Sequence, residues 1–291
     1  MPIPMNGTCL ECFLPKRLAF ARQHGNDQQV TQVAKMLTRR FGESPEDMDS
    51  ALLGGLCDEE MNAFFGLDPD RMKEEKEASN RFVLERLEDI DRRIHEADDP
   101  LYAALQFAVL GNYLDFSALA GQVSFEALDQ MLDKAQDRDL DKACYQQFLT
   151  DLEKGRRFLY LTDNAGEICF DRLLAEALQK AFPHLQITFC VRGRPVSNDA
   201  TREDARTAGI AFPVIDNGTA IGGTALGYIS SESKEAIEQA DVILAKGMGN
   251  TESLYGCGYN VYYAFLVKCA RFMEFFNAPK MKPMFIRDKK A

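Results

Sequence analysis

Phe158-Leu159-Tyr160-Leu161-Thr162-Asp163-Asn164-Ala165-Gly166-Glu167-Ile168 holds an apolar, β-prone run that stops at an acidic pair and passes through a glycine into a helical pattern. Strand–turn–helix units of this kind build open α/β sheets, whose ligands collect beyond the carboxyl ends of the strands. Asp163 and Asn164 are adjacent hard oxygen donors at such an edge, a set suited to a divalent cation. The helix starting at Glu167 aims its positive end at the same place, which suits a phosphate.

Downstream, apolar β-prone runs alternate with helical patterns. Arg157–Thr162, Gln186–Val191, Ala211–Ile215 and Val242–Ala245 read as strands; Glu167–Ala181, Thr201–Ala208 and Ser231–Gln239 read as helices. Val261–Val267 fits either state. Alternation of this kind predicts βαβ units around a largely parallel sheet. Gly209 sits where a helix C-cap glycine belongs. Residues 279–291 are basic, carry two prolines and are expected to fray at their end.

Upstream the texture is different. Gln28–Phe41, Asp68–Ala97, Leu101–Leu110, Ser124–Asp133 and Asp141–Gly155 show three-to-four-residue apolar spacing, and no strand pattern is evident. Asp68-Pro69 is expected to open the longest of these helices as N-cap and first-turn proline. The division predicted is an α-helical subdomain over 1–155 and an α/β unit over 156–291.

The chain has 291 residues, 46% of them hydrophobic, enough for a sizeable core. Its 34 basic and 45 acidic side chains leave a formal charge of −11, which argues against nucleic acid and anionic membranes as partners. A small anionic ligand is still allowed, because a bound cation can override the global field. No apolar run approaches the ~20 residues of a membrane span, and Met1–Leu10 lacks the charge-then-apolar layout of a signal peptide. The eight cysteines are therefore expected to be reduced and the chain cytoplasmic.

Three strand ends meet at one edge if the sheet is parallel. The first carries Asp163, Asn164 and Glu167. The second carries Arg192-Gly193-Arg194-Pro195-Val196-Ser197-Asn198-Asp199, and the third Lys246-Gly247-Met248-Gly249-Asn250. Carboxylates with amide oxygens favour Mg²⁺, Mn²⁺ or a similar ion over thiolate-bound zinc. Lys246, Arg192 and Arg194 supply charge for phosphate oxygens, and the glycines let backbone N–H groups approach them. Turns are rich in Asp, Asn and Gly for conformational reasons alone, so the weight lies in three such loops sharing one edge. Asn112 and Asp115 lie three apart on one helical face, which fits either a helix end or a part in closing the site. Cys9-x-x-Cys12 has the spacing of half a zinc site, with no second half to complete it, so a structural or helix-packing role is expected, with accessory metal binding or redox sensitivity as the alternatives.

Asp163-Asn164-Ala165-Gly166-Glu167, Asn198-Asp199-Ala200-Thr201 and Lys246-Gly247-Met248-Gly249-Asn250 resemble the signature loops of the DUF89 metal-dependent, or damage-control, phosphatases. The resemblance extends to Cys9-x-x-Cys12 and to Gly111-Asn112-Tyr113-Leu114-Asp115-Phe116, and the lysine-first third loop looks like the stand-alone microbial branch. It implies a helical amino-terminal region on an αβα sandwich with a largely parallel, Rossmann-like sheet, and hydrolysis of phosphate esters of small metabolites. It also implies Asp163, Asn164 and Asp199 as ligands of Mn²⁺, Co²⁺, Ni²⁺ or Mg²⁺. Glu167, Lys246, Asn250 and Lys268 would be substrate contacts, with Arg192 and Asn198 in the second loop beside them. Asp163, Asp199 and Lys246 would carry the catalysis. The nucleophile favoured is water, because Asp163 does not stand in the Asp-x-Asp-x-Thr pattern of aspartyl-phosphate enzymes. An S-adenosylmethionine-dependent carboxyl methyltransferase and a non-catalytic phosphometabolite-binding module are the alternatives.

Overall fold

The computed structural model describes residues 2–115 and 124–288. Phe116 of the Gly111–Phe116 motif and the expected frayed end at 289–291 lie outside the described residues. Six strands form one sheet: β1 (Arg157–Leu161), β2 (Gln186–Val191), β3 (Val214–Asp216), β4 (Val242–Lys246), β5 (Val261–Leu266) and β6 (Pro283–Arg287). Their order is β3-β2-β1-β4-β5-β6, and every neighbouring pair is parallel except β5–β6. The order reverses between β1 and β4, so a crevice opens beyond the carboxyl ends of those two strands, where doubly wound sheets bind ligands. The predicted α/β class with a largely parallel sheet and a helical amino-terminal part is what the chain forms.

Strand residues alternate between two cores, because successive side chains of a strand point to opposite faces. Phe158, Tyr160, Phe189, Leu244, Tyr262 and Ala264 face one core, and Leu159, Leu161, Cys190, Ala245, Tyr263 and Phe265 face the other. The first is covered by α4 (Lys73–Leu84), α5 (Leu87–Glu96), α6 (Pro100–Gly111), α7 (Phe125–Asp133), α8 (Lys142–Lys154), α9 (Glu167–Ala181) and α10 (Arg202–Thr207). The second is covered by α11 (Ser231–Gln239), α12 (Gly247–Leu254) and α13 (Ala270–Phe275). Three further helices, α1 (Gly7–His24), α2 (Asp27–Gly42) and α3 (Ser50–Phe65), enclose a third, smaller core around Leu37, Leu53 and Met61.

The secondary structure changes character between Lys154 and Arg157, but the packing does not stop there. Val83, Leu105 and Phe148 from the helical part share one core with Phe158, Leu174 and Leu244. A helical layer and a sheet sealed by the same apolar surface unfold together, since neither can bury its face alone.

Several local expectations are corrected. The periodicity over Asp68–Ala97 is carried by two helices and not by one. Asp68 accepts the N–H of Asp70 in a turn (2.9 Å), and α4 begins only at Lys73. The helix breaks again before Leu87, where the Arg86 guanidinium grips Asp129 of α7 at 2.6 and 2.9 Å. The third strand starts at Val214, later than Ala211. Val261–Leu266 is a fully buried strand. Residues 283–287, for which no strand was expected, form the antiparallel edge strand β6, with Pro283 at its first position, where a missing N–H costs no ladder bond. Among the described residues no helix is long and apolar enough to cross a membrane.

Candidate active site

Two backbone hydrogen bonds zip the β1 loop to the β2 loop. The Ala200 N–H donates to the Asp163 carbonyl (2.7 Å) and the Ala165 N–H to the Asn198 carbonyl (2.8 Å). This places Asn164 opposite Asp199 in an isolated antiparallel bridge. Asp163, Asn164 and Asp199 are thereby brought together, each no more than 6% exposed. The stretch 246–250, expected as a loop, is the direct junction of β4 with α12, and it closes the third side. Gly247 has φ +79° and lies so near Asp163 that a Cβ there would overlap the carboxylate, so only glycine allows this approach.

Each of the three expected metal ligands keeps one oxygen outside the hydrogen bonds of the described residues. Asp163 Oδ2 accepts from Asn112 Nδ2 (2.9 Å) and Asn164 Nδ2 (2.8 Å), while its Oδ1 has only Arg192 at 3.6 Å. Asn164 also turns its nitrogen to Glu167 (2.7 Å), which leaves its carbonyl oxygen. Asp199 Oδ2 accepts from Arg192 Nε (2.6 Å), which leaves Oδ1. Burial pushes the Asp163 carboxyl well above the ordinary range, reinforced by the charges of Asp199, Glu167 and Asp115. Burial also raises Asp199, with Arg192 opposing. The pocket is short of positive charge, and two carboxylates with an amide oxygen are a donor set for a hard divalent cation. Among the described residues no group of three or more His, Cys, Asp or Glu side chains is placed to hold a metal ion.

Lys246 is placed otherwise than the resemblance implied. Its ammonium is fully buried and spends its three donors on the Ala108 carbonyl (2.8 Å), Glu167 (2.7 Å) and Asp171 (2.6 Å). No donor is left for a phosphate in this arrangement. Burial works to lower the Lys246 pKa, but Asp171 and Glu167 outweigh it and the group is raised. Burial pushes Asp171 up to about 7, despite Lys246 and a hydrogen bond from Tyr160 (2.7 Å). Glu167 likewise faces inward, accepting from Lys246, Asn112 and Asn164. Asn250 braces the loops: Nδ2 donates to the carbonyls of Thr162 and Lys246, and Oδ1 accepts from Thr224 and Arg192. Asn198 is similarly occupied, donating to the Leu114 carbonyl at 2.6 Å.

The other two expected substrate contacts, Arg192 and Lys268, are buried close to Asp163. Arg192 has its Nη2 buried beside Asp163, with no hydrogen-bond partner among the described residues. Lys268 pairs with Asp115 (2.8 Å), and its charge is felt at Asp163. The spacing of Asn112 and Asp115 allowed a helix end or a place at the site. Asn112 is both, since it caps α6 and bonds Asp163 and Glu167 from above. Asp171 was missed, although it stands four residues after Glu167 and so shares its helical face. Also missed was the stretch 217–224, where Gly222 packs under Gly249 so closely that no side chain fits. A cavity of about 460 Å³ is lined by Val196 and Ser197, just before Asn198 in the chain, and by Arg71, Met72 and Asn62.

The amino terminus reaches the back of this region: the Ile3 N–H donates to the Glu252 carbonyl of α12 (2.8 Å). All eight cysteines are unpaired, Cys12 exposed and Cys9 half-buried near the start of α1, where Asn6 accepts its N–H. Neither touches the carboxylates, so Cys9→Ser with Cys12→Ser is expected to keep turnover within a few-fold of the parent, at a stability cost of about 1–3 kcal/mol at most. A hundredfold loss of kcat with an unchanged unfolding midpoint would place the pair in the site.

Over residues 5–282 the chain matches the family described as the damage-control phosphatase ARMT1-like domain. It is 29% identical over 286 residues to a damage-control phosphatase of Pyrococcus horikoshii, covering 97% of each chain. It is 35% identical over 188 residues to a damage-control phosphatase of Archaeoglobus fulgidus, covering 64% of each. The crystal structure of a DUF89 family protein from Pyrococcus horikoshii superposes with a TM-score of 0.82 at 27% identity, covering 98% of this chain and 99% of that one.

Proposed function

Because the chain belongs to the damage-control phosphatase ARMT1-like family, we propose that it hydrolyses phosphate monoesters of small metabolites with the aid of a divalent cation. The observation that carries this reading is the grouping of one open oxygen each from Asp163, Asn164 and Asp199 at the switch point of the sheet. Mn²⁺, Co²⁺, Ni²⁺ or Mg²⁺ held there would withdraw charge from the phosphoryl oxygens and help ionise the attacking water. Arg192, through its unpartnered Nη2, would take a phosphoryl oxygen and hold the group in line. Lys268, paired with Asp115, would offset charge at the opposite side. Asn112 and Asn164 hold the Asp163 carboxylate by donating to its Oδ2, and Glu167, backed by Lys246 and Asp171, accepts from the same two amides. Sugar phosphates, phosphopantetheine-like compounds and damaged cofactor phosphates are the proposed substrate classes, and the organic part would lie in the cleft between Ser197 and Arg71. With reduced cysteines and a small anionic substrate, the cytoplasm is the compartment we assign.

The test is hydrolysis of p-nitrophenyl phosphate and a panel of sugar phosphates with each of the four ions. Activity is expected with at least one ion and is expected to vanish in EDTA and return on adding metal. Full activity in protein shown by elemental analysis to be metal-free would overturn the reading. A thermal-shift arm separates the methyltransferase: divalent ion should raise the unfolding midpoint, and S-adenosylmethionine should not.

A further inference from the structure

The helical layer touches the site loops through one buried amide that the proposed chemistry leaves unused. Asn80, on α4 and 2% exposed, accepts the backbone N–H of Gly166 on Oδ1 at 2.6 Å. Its Nδ2 donates to Asp204 Oδ1 at 2.9 Å. Both orientations follow from chemistry, since an amide oxygen must face the N–H and the nitrogen must face the carboxylate. Gly166 precedes α9 at φ +77°, and a Cβ there would sit 2.7–3.0 Å from Leu114 and Ser79. Helix α4 thus lies directly on the turn that carries Asp163, Asn164 and Glu167. Asp204 lies in the first turn of α10, which follows the other loop: its Oδ2 accepts from the Thr201 N–H (2.8 Å) and hydroxyl (2.9 Å), fixing the N-cap of α10 two residues after Asp199. Lys76, one turn before Asn80 on α4 and also buried, pairs with the same Asp204 oxygen at 2.9 Å.

We propose that Asn80 is a positioning residue that sets the spacing of the β1 and β2 loops, and hence of Asp163, Asn164 and Asp199, by bridging Gly166 to Asp204. The proposal rests on the reading of those three residues as the cation site. Without Asn80 the Gly166 N–H loses this acceptor, and the loops are held in register by direct bonds such as those at Thr162, Ala165 and Ala200. Groups that orient ligands from behind typically alter metal affinity tenfold to a hundredfold.

The experiment is titration of the purified protein with Mn²⁺, followed by electron paramagnetic resonance of the free ion, together with kcat and KM for p-nitrophenyl phosphate. Asn80→Ala is expected to weaken Mn²⁺ binding by about 10–100-fold and to lower kcat at saturating Mn²⁺ while KM stays near the parent's. Asn80→Asp keeps the acceptor for Gly166 but sets a second carboxylate against Asp204, and is expected to be impaired as well. Combining it with Asp204→Asn restores one donor and one acceptor across the contact, with Lys76 still facing a single negative charge. That exchange is expected to recover Mn²⁺ affinity to within about threefold of the parent, a rescue that lost packing could not produce. Parental affinity and kcat in Asn80→Ala would overturn the proposal, and so would a loss in Asn80→Asp that the exchange does not repair. Should Asn80→Ala fail to fold, the comparison of Asn80→Asp with the exchange decides alone. Absence of Mn²⁺ binding by the parent protein is a different outcome, which removes the cation reading itself.

Discussion

Asp163→Asn and Asp199→Asn are each expected to reduce metal-dependent hydrolysis by at least about a thousandfold, roughly 4 kcal/mol of transition-state stabilisation, with Mn²⁺ binding lost in parallel. Asp163→Asn should leave the metal-free protein at least as stable as the parent. The Asp163 carboxyl is raised by burial and by its acidic neighbours, so its ionised form burdens the folded state. A carboxyl whose folded pKa lies above its unfolded one favours folding most while protonated. That stability is present below the ordinary carboxylate range and is lost as pH rises through the folded value. The metal-free parent should therefore lose stability on going from acid to neutral pH, and Asp163→Asn should lose less. Amide for carboxylate preserves the shape and still offers Asn112 and Asn164 an oxygen. Calorimetry in EDTA across that range, beside turnover with metal restored, checks both halves. Retained turnover, or a metal-free Asp163→Asn protein clearly less stable than the parent at neutral pH, would contradict the assignment.

The second large effect is on stability. Lys246→Met removes the cation between Glu167 and Asp171, both fully buried, and is expected to cost about 3–5 kcal/mol, because breaking a buried pair leaves its partners uncompensated. For a chain of this size that lowers the unfolding midpoint by on the order of 10 °C. Adding Asp171→Asn should recover part of the loss, since the two positions share one network. Glu167 would still lack its strongest donor, so catalysis should fall as well. The discriminating result is a Lys246→Met protein with parental stability and collapsed kcat. That would return the lysine to the phosphate, as the resemblance implied.

The candidate edge was legible because its signals are local. A β-prone run, an Asp-Asn pair, a glycine and a helical pattern are all contained in residues 157–168. Once parallel strands are inferred, the position of the site follows from topology. The loops at 198–201 and 246–250 could be read for the same reason. How their side chains divide between facing a ligand and bracing a loop could not. Lys246 illustrates this: it is the last residue of β4, so period two sends its side chain with Leu244 toward α6 and α9 and not to the mouth. A strand boundary one residue earlier, at Ala245, hides that. Asn80 and Asn112 stand 86 and 51 residues from their partners Gly166 and Asp163. No pattern along the chain links such pairs, because the contact exists only after α4 and α6 have packed on α9. The edge strand β6 also depends on its partner, since a proline-bearing basic tail has little strand signal until β5 offers it a ladder. The sequence by itself determined the sheet, the edge and the oxygen-rich donor set, because each is written in short stretches with strong local preferences. The tertiary structure alone decided which donors are spent inside the protein, because hydrogen-bond capacity is limited and the partners that fill it come from distant helices.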